Sequence, residues 1–189
     1  PKRVKAPTDT TPKVHQYDSI RKDECISLAA TISDAIKKKF EGVKTNRDID
    51  HIEYLVGNYG NSSEADKLEI LDSLDYYLHQ FDNGRDFLLI GGYDKVIGPA
   101  LDSPSNEIKC RAAVLIGSAA QSQPQVQDML VERGILERLL SDDFLGSNES
   151  NVLVQRTIFA LSSILRGGSS KAAEEFERLR GFEALRTIA

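Results

Sequence analysis

Apolar residues recur along this chain in segments that resemble one another at a nearly fixed offset. The segment "FLLIGGYDKVI" (87–97) superposes on "MLVERGILERL" (129–139) at an offset of 42 residues, and a further 47 residues reach "FERLRGFEALR" (176–186). The apolar positions coincide in all three segments, and each segment carries a glycine at the same place. These glycines are Gly92, Gly134 and Gly181. The pattern predicts a repeated helical unit with a joint at each glycine.

The stretches between these joints repeat as well. Segment 69–79 superposes on 111–121 at an offset of 42 residues, and 111–121 superposes on 156–166 at an offset of 45. We expect the extra residues of the second interval to form a loop over 141–151. A period in the low-to-mid forties is typical of armadillo and HEAT repeats, in which each unit buries its apolar face only by stacking on the next. The sequence therefore predicts an all-α, armadillo-like helical repeat solenoid with a concave binding face.

Each long helix has one face whose apolar residues are expected to pack into the core, and a second face whose residues such packing does not account for. The positions expected to pack inward are Leu68, Leu71, Leu74 and Leu78 in the first helix and Cys110, Ala113, Leu115, Ile116 and Ala120 in the second. In armadillo stacking one helix of each repeat lines the concave surface, so we expect the other stripe to line a groove. The expected groove positions are Glu69, Asp72, Tyr76, His79, Arg111, Val114, Ser118, Gln121, Arg156, Phe159, Ser163 and Arg166.

The predicted groove stripe differs from an ordinary solvated helix face. A solvated face carries Lys and Glu in i,i+4 pairs, whereas this stripe includes Tyr76, Val114 and Phe159. Exposed aromatic side chains flanked by arginine are common anchors of protein interfaces. The alternative is that the neighbouring repeat partly buries Tyr76 and Phe159. Both interpretations are open from the sequence.

The chain is expected to have three parts. Residues 1–20 hold three prolines and three lysines with few apolar side chains, which predicts a flexible arm. Residues 21–66 are predicted to form N-terminal capping helices. Residues 67–189 are predicted to form the armadillo-like repeats, and we expect further repeats to complete the structure after the helix that follows Gly181.

Two helices are predicted in the capping region. Apolar residues recur at helical spacing between Ile26 and Phe40, with Asp23 available as the N-cap. A second helix is predicted over 49–59, with Asp48 or Asp50 as its cap.

Composition narrows the range of partners. The net charge of −5 and the pI of about 5.3 argue against a nucleic-acid partner, because such binders need clustered Lys and Arg to neutralise phosphates. No apolar run approaches the roughly 18 residues of a membrane-spanning helix, so no membrane partner is expected. We expect the chain to be monomeric by itself.

Catalytic chemistry has little support in the sequence. The histidines His15, His51 and His79 belong to no HExxH motif, and no cysteine pair has metal-ligand spacing. The segment "RGGSSK" (166–171) lacks the GxxxxGK[ST] phosphate loop, and Asp142 and Asp143 are expected in a solvated turn. We therefore predict no enzymatic activity, no catalytic residue, no metal and no cofactor.

Cysteines and sequons bear on the compartment. Cys25 and Cys110 are too few for a disulfide framework, and Cys110 superposes on the core position Leu68, which favours a small buried side chain. Two N-x-S sequons, at Asn61 and Asn148, fall in predicted loops where a glycan would be accessible. The sequons favour a secretory compartment.

A resemblance to a known family follows from particular motifs. The segment "LDYYLHQFDNGRDFLLIGG" (74–92), followed by "RAAVLIGSAAQSQPQVQ" (111–127) and the segments around 158–168 and 174–186, resembles the armadillo-type nucleotide exchange factors of seventy-kilodalton heat-shock chaperones. The most specific motif is D-N-[GA]-x-D-[FL], which begins at Asp82 and Asn83. The "YYLHQ" before it is similar to the endoplasmic-reticulum branch, the SIL-one factor serving BiP, rather than to the cytosolic HspBP and Fes factors.

The resemblance implies a mechanism without covalent chemistry. Such factors hold one lobe of the chaperone's nucleotide-binding domain on their concave face, so that the nucleotide cleft opens and ADP leaves. It implies first-repeat contacts from Tyr76, His79, Asp82 and Asn83, and contacts from the groove arginines and Gln121 to acidic or carbonyl groups. One departure is Gly84, where the family more often has Ala, which could loosen a helix start. An armadillo scaffold for an extended peptide, or a cytosolic location, remain the alternatives.

Overall fold

The computed structural model describes residues 47–146, 150–166 and 169–186, and every regular element in these ranges is a helix. The α-helices are α1 Arg47–Asn58, α2 Glu64–Leu78, α3 Asn83–Leu89, α4 Gly98–Leu101, α5 Asn106–Ala120, α6 Pro124–Val131, α7 Ile135–Leu139, α8 Asp142–Leu145, α9 Asn151–Leu165, α10 Ser170–Arg178 and α11 Gly181–Arg186. A 3-10 turn spans Tyr59–Asn61, and a π-helix spans Tyr93–Ile97. The arm predicted over 1–20, the helix predicted after Asp23, Cys25 and Asn148 lie outside the described residues.

Each repeat contains one long helix of 15 residues. Helices α2, α5 and α9 begin at residues 64, 106 and 151, so their spacings of 42 and 45 match the offsets in the sequence. Helix α5 packs against both α2 and α9, while the shorter helices α3, α6 and α10 pack on one another as a second layer. The all-α helical repeat fold is confirmed.

An aliphatic core lies between the two layers. Most of the long-helix positions predicted to face inward are buried, and they are Leu71, Leu74, Leu78, Ala113, Leu115, Ile116 and Ala120. Leu68 and Cys110 are only partly buried. The helical periodicity therefore assigned the buried faces to within one position.

The joints fall one residue away from two of the three predicted glycines. Left-handed backbone, with positive φ, occurs at Gly91, Gly134 and Arg180, so the joints are 43 and 46 residues apart. Gly92 and Gly181 come one residue later and have a packing role: a Cβ on either would overlap the Phe87 or Phe176 ring. The three predicted joints are therefore present. The left-handed conformation falls on a glycine in the first two joints, whereas in the third it falls on Arg180.

Two element boundaries differ from the predictions. Helix α1 begins at Arg47, so Asp48 and Asp50 lie in its first turn and are not the N-cap. Carboxylates in that turn still favour the positive end of the helix dipole. The predicted loop 141–151 contains α8, whose Phe144 and Leu145 are buried against the core.

Candidate functional site

The long helices expose one continuous surface, which we call the groove face: the outward sides of α2, α5 and α9. Its main feature is a depression of about 560 Å³, the central depression. Its lining residues include Asp72, Asp75, Cys110, Arg111, Val114, Val152 and Arg156. Four of the predicted groove residues, Asp72, Arg111, Val114 and Arg156, are therefore brought together from three different repeats.

Side chains on the groove face tie α5 to α2. The Arg111 guanidinium pairs with the Asp72 carboxylate and lies 3.8 Å from Glu107. The Ser118 hydroxyl donates a 2.6 Å hydrogen bond to Asp75. The contacts of Arg111 with Asp72 and of Ser118 with Asp75 connect residues about 40 positions apart in the chain, so they fix neighbouring repeats relative to each other.

The two groove serines are placed differently from the prediction. Ser118 is 3% exposed and Ser163 is 7% exposed, so neither presents its side chain to a partner. Their small side chains allow close helix approach, and Ser118 uses its hydroxyl for the contact with Asp75. They contribute to the packing beneath the groove face.

The far end of the groove face carries an exposed aromatic and an imidazole. Tyr76 is 70% exposed, and its ring packs edge-on against Tyr77, with 5.5 Å between the ring centroids. His79 and Gln121 line a second depression of about 340 Å³. For Tyr76, burial by a neighbouring repeat is therefore wrong. For Phe159 it holds, because the ring packs over Gly117 and is partly buried.

Glu69 does not lie with the rest of its predicted row. It lines a separate depression of about 280 Å³ together with Tyr54, Asn58 and Asp66. Glu69 and Asp72 lie about 60° apart around the helix, and Glu69 is on the side of α2 that faces α1. It is exposed, but it belongs to another surface.

The Asp82–Asn83 joint has a structural task. Asp82 has a φ of 74°, and Asn83 Nδ2 donates a 2.9 Å hydrogen bond to the Tyr77 carbonyl near the end of α2. Gly84 is buried, and a Cβ there would lie 2.8 Å from the Ala119 carbonyl oxygen. Glycine therefore permits close approach of α3 to α5 and does not loosen the helix start. Asp82 is exposed and Asn83 is half-buried, so Asp82 remains the more accessible of the two.

Gln127 was missed by the sequence analysis. Its side chain is fully buried, and Nε2 lies 2.9–3.0 Å from the carbonyl oxygens of Ala120, Ser163 and Arg166. One side-chain amide therefore donates hydrogen bonds to carbonyl groups at the carboxyl ends of both α5 and α9. The signal in the sequence was a polar residue at an apolar position of α6.

Phe81 was also missed. At 77% exposed, it stands between the depression that contains His79 and another of about 400 Å³ that contains Asp82 and Arg85. It adds a second exposed aromatic side chain to the Tyr76 end of the groove face.

The thiol of Cys110 lies in the central depression. Its burial raises its pKa, and the positive charges of Arg156 and Arg111 oppose that shift only in part. The thiol is therefore the dominant form at neutral pH.

Arg166, at the end of α9, is exposed and does not line this depression.

Among residues 47–146, 150–166 and 169–186, no group of three or more His, Cys, Asp or Glu side chains is arranged to hold a metal ion. Within the same ranges no helix is both long and apolar enough to cross a membrane.

Known proteins with similar sequences point to one family. Nucleotide exchange factor SIL1 of Mus musculus is 34% identical over 157 residues, which is 81% of this chain and 33% of the relative. The protein of the same name from Xenopus laevis is 31% identical over 156 residues, again 81% of this chain and 33% of the relative. Hsp70-binding protein 1 of Homo sapiens is 29% identical over 118 residues, 62% of this chain and 31% of the relative.

This chain thus spans about a third of the length of these relatives. The C-terminal domain that defines the SIL1/FES1/HPBP1 family matches residues 83–189. That match extends from the Asn83 joint through α11, over more than half of the chain. The chain belongs to the SIL1/FES1/HPBP1 family.

Proposed function

We propose that this chain acts as a nucleotide exchange factor: it binds the nucleotide-binding domain of a BiP-type heat-shock chaperone and opens its cleft so that ADP leaves. The observation that carries the proposal is the groove face, which presents Tyr76 and His79 from one repeat and Arg156 from another. Family membership supports the same function.

Exchange requires that the factor bind the open chaperone better than the closed one. Each tenfold gain in the open population needs about 1.4 kcal/mol of differential binding. A flexible surface would follow the partner through both states. The contacts of Arg111 with Asp72 and of Ser118 with Asp75 connect neighbouring repeats, and such contacts oppose movement of one repeat against the next.

The test measures ADP release. A BiP-type chaperone is loaded with fluorescent ADP, and the release rate is followed after this chain is added, unaltered or with Tyr76→Ala and His79→Ala together. We expect the double substitution to remove most of the acceleration, because exposed aromatic anchors dominate interface energy.

Tyr54→Ala is the matched control. Tyr54 is 69% exposed, like Tyr76, but it lines the depression on the α1 side. We expect it to leave release unchanged. Equal loss from both tyrosines would contradict a site on the groove face. No effect of the unaltered chain on the chaperone would favour a peptide scaffold, and activity only on a cytosolic chaperone would favour the cytosolic branch.

We further propose that the chain works in the lumen of the endoplasmic reticulum and carries glycans at Asn61 and Asn148. Asn61 is exposed in the turn before α2, away from the groove face, so a glycan there would not obstruct the partner. Expression in a secretory system, followed by glycosidase treatment and mass measurement, tests occupancy. A deglycosylation shift that falls by one glycan in Asn61→Gln and by one in Asn148→Gln would support the assignment, and unmodified sequons would contradict it.

A further inference from the structure

Two arginines line the central depression, and their surroundings differ. Arg111 is engaged by Asp72 and Glu107 on its own side of the groove. Arg156 is exposed, and among the described residues no carboxylate lies within ion-pair distance of its guanidinium. Arg111 is thus already neutralised inside the protein, whereas Arg156 has its charge available to a partner.

Apolar groups flank the available guanidinium. Val152 lies one helical turn before Arg156 on α9 and is 55% exposed, an unusual placement for a branched aliphatic side chain. Val114 and Cys110 of α5 line the same depression and are partly buried. The combination places apolar groups beside a guanidinium that has no carboxylate partner among the residues that the structure describes.

The acidic side chains of the depression do not compete for this role. Asp72 is paired with Arg111, and Asp75 accepts the hydrogen bond from Ser118. Glu107 lies on the Arg111 side. These carboxylates lie on the α2–α5 side of the depression, where a basic partner side chain would be attracted. An acidic side chain would bind on the α9 side, at the Arg156 guanidinium, which has no carboxylate partner among the described residues.

We propose that Arg156 is the anchor for an acidic side chain of the chaperone's nucleotide-binding domain, whose aliphatic stem packs against Val152 and Val114, and that Arg111 braces α5 to α2. This inference rests on the proposed exchange function. A carboxylate held by arginine in a partly desolvated slot is a strong, directional interaction.

The experiment measures the affinity of this chain for the isolated nucleotide-binding domain by titration calorimetry, at two salt concentrations. We expect Arg156→Glu to raise Kd at least about tenfold, because it places like charges together, and to weaken the salt dependence of binding. Arg186→Glu makes the same charge change on α11, away from the depression, and is expected to alter Kd less than about twofold. Thermal unfolding of each variant verifies that the fold is intact.

A second arm identifies the partner group. Exposed Asp and Glu residues of the chaperone domain are replaced by Arg one at a time and tested against Arg156→Glu. Recovery of affinity by one reversal would establish the pair. Binding by the unaltered chain that Arg156→Glu leaves unchanged would overturn the inference while the exchange function stands. No binding by the unaltered chain would overturn the proposed function and this inference together.

Discussion

Gly117 lies where α5 passes beneath the Phe159 ring of α9. A Cβ at this position would overlap the ring, so the two long helices approach closely only because residue 117 has no side chain. We predict that Gly117→Ala destabilises the fold by about 1–3 kcal/mol, the usual cost of overpacking a core. Urea denaturation measures the change.

Gly57 provides the control for this prediction. It is also helical, but no heavy atom lies within 4 Å of a Cβ added there. Gly57→Ala should be neutral or stabilise by up to about 1 kcal/mol, because alanine restricts the unfolded chain. Equal destabilisation by both substitutions would show that overlap with Phe159 is not the cause.

Gln127 stabilises the fold through its buried amide. Replacement by Met keeps much of the volume but removes the donor shared by three carbonyls, those of Ala120, Ser163 and Arg166. We predict a loss of about 2 kcal/mol or more, reduced in part because the substitution also removes the buried, unpaired Oε1 of Gln127. The exposed Gln125 on the same helix is the control, and Gln125→Met should change the free energy of unfolding by less than about 0.5 kcal/mol.

At the scale of elements, two side-chain contacts between α2 and α5 differ in how deeply they are buried. Ser118 is nearly fully buried and bonds to the half-buried Asp75, while Arg111 and Asp72 are both substantially exposed. We predict that Ser118→Ala costs about 1–2 kcal/mol of stability, and that the Arg111–Asp72 coupling is below about 1 kcal/mol in a double-mutant cycle.

The two contacts should also differ in how their contribution to stability depends on salt. The Arg111–Asp72 coupling should fall toward zero in about 1 M NaCl, where exposed charges are screened within about 3 Å. The cost of Ser118→Ala should persist, since it comes from a largely buried hydrogen bond. A salt-resistant Arg111–Asp72 coupling would indicate a rigid, desolvated pair instead.

The element order could be predicted because its signal is local. Leu71, Leu74 and Leu78 recur on one side of a helix whatever surrounds it, and the same spacing in the next repeats revealed the stacking. Burial of Ser118 was not predictable in this way, because it depends on how closely α5 approaches α2. The role of Gln127 was not predictable for a related reason: its hydrogen-bond partners are at the ends of two helices that meet only after folding.

The groove residues show the same limit. Asp72, Arg111 and Arg156 were assigned to one surface correctly, since equivalent positions of stacked repeats align. Which arginine is neutralised depends on side chains from the neighbouring repeat, and only the structure gives that pairing. Glu69 was misplaced because the register of a helix face is ambiguous by one position.

At the scale of the whole repeat, ties between units also occur in the second layer. Ser169 bonds to Asp128, Lys171 pairs with Glu132, and the Tyr93 hydroxyl donates to the Arg133 carbonyl at 3.0 Å. Each joins one unit to the next, as Arg111 and Ser118 do on the groove face. Contacts in both layers oppose rotation of one repeat against its neighbour, so the partner's surface meets a preorganised site.

Cys110 offers a probe of that site at the moment of binding. Burial raises the pKa of its thiol above the ordinary value, so in a Cys25→Ser background iodoacetamide should react more slowly at pH 7.5 than with an unstructured cysteine. The rate should climb as the pH rises, because more of the thiol becomes thiolate. Mass spectrometry of the labelled peptide gives the rate.

Addition of the chaperone's nucleotide-binding domain should slow labelling of Cys110 further, because the thiol lies beside Val114 and Arg156 in the depression that the partner is proposed to cover. Arg156→Glu should reduce the protection at protein concentrations that just saturate the unaltered chain. Protection that persists in this variant would place the acidic side chain elsewhere on the groove face. Unprotected Cys110 in a demonstrably bound complex would instead move the contact toward Tyr76 and Phe81, the other end of the same surface.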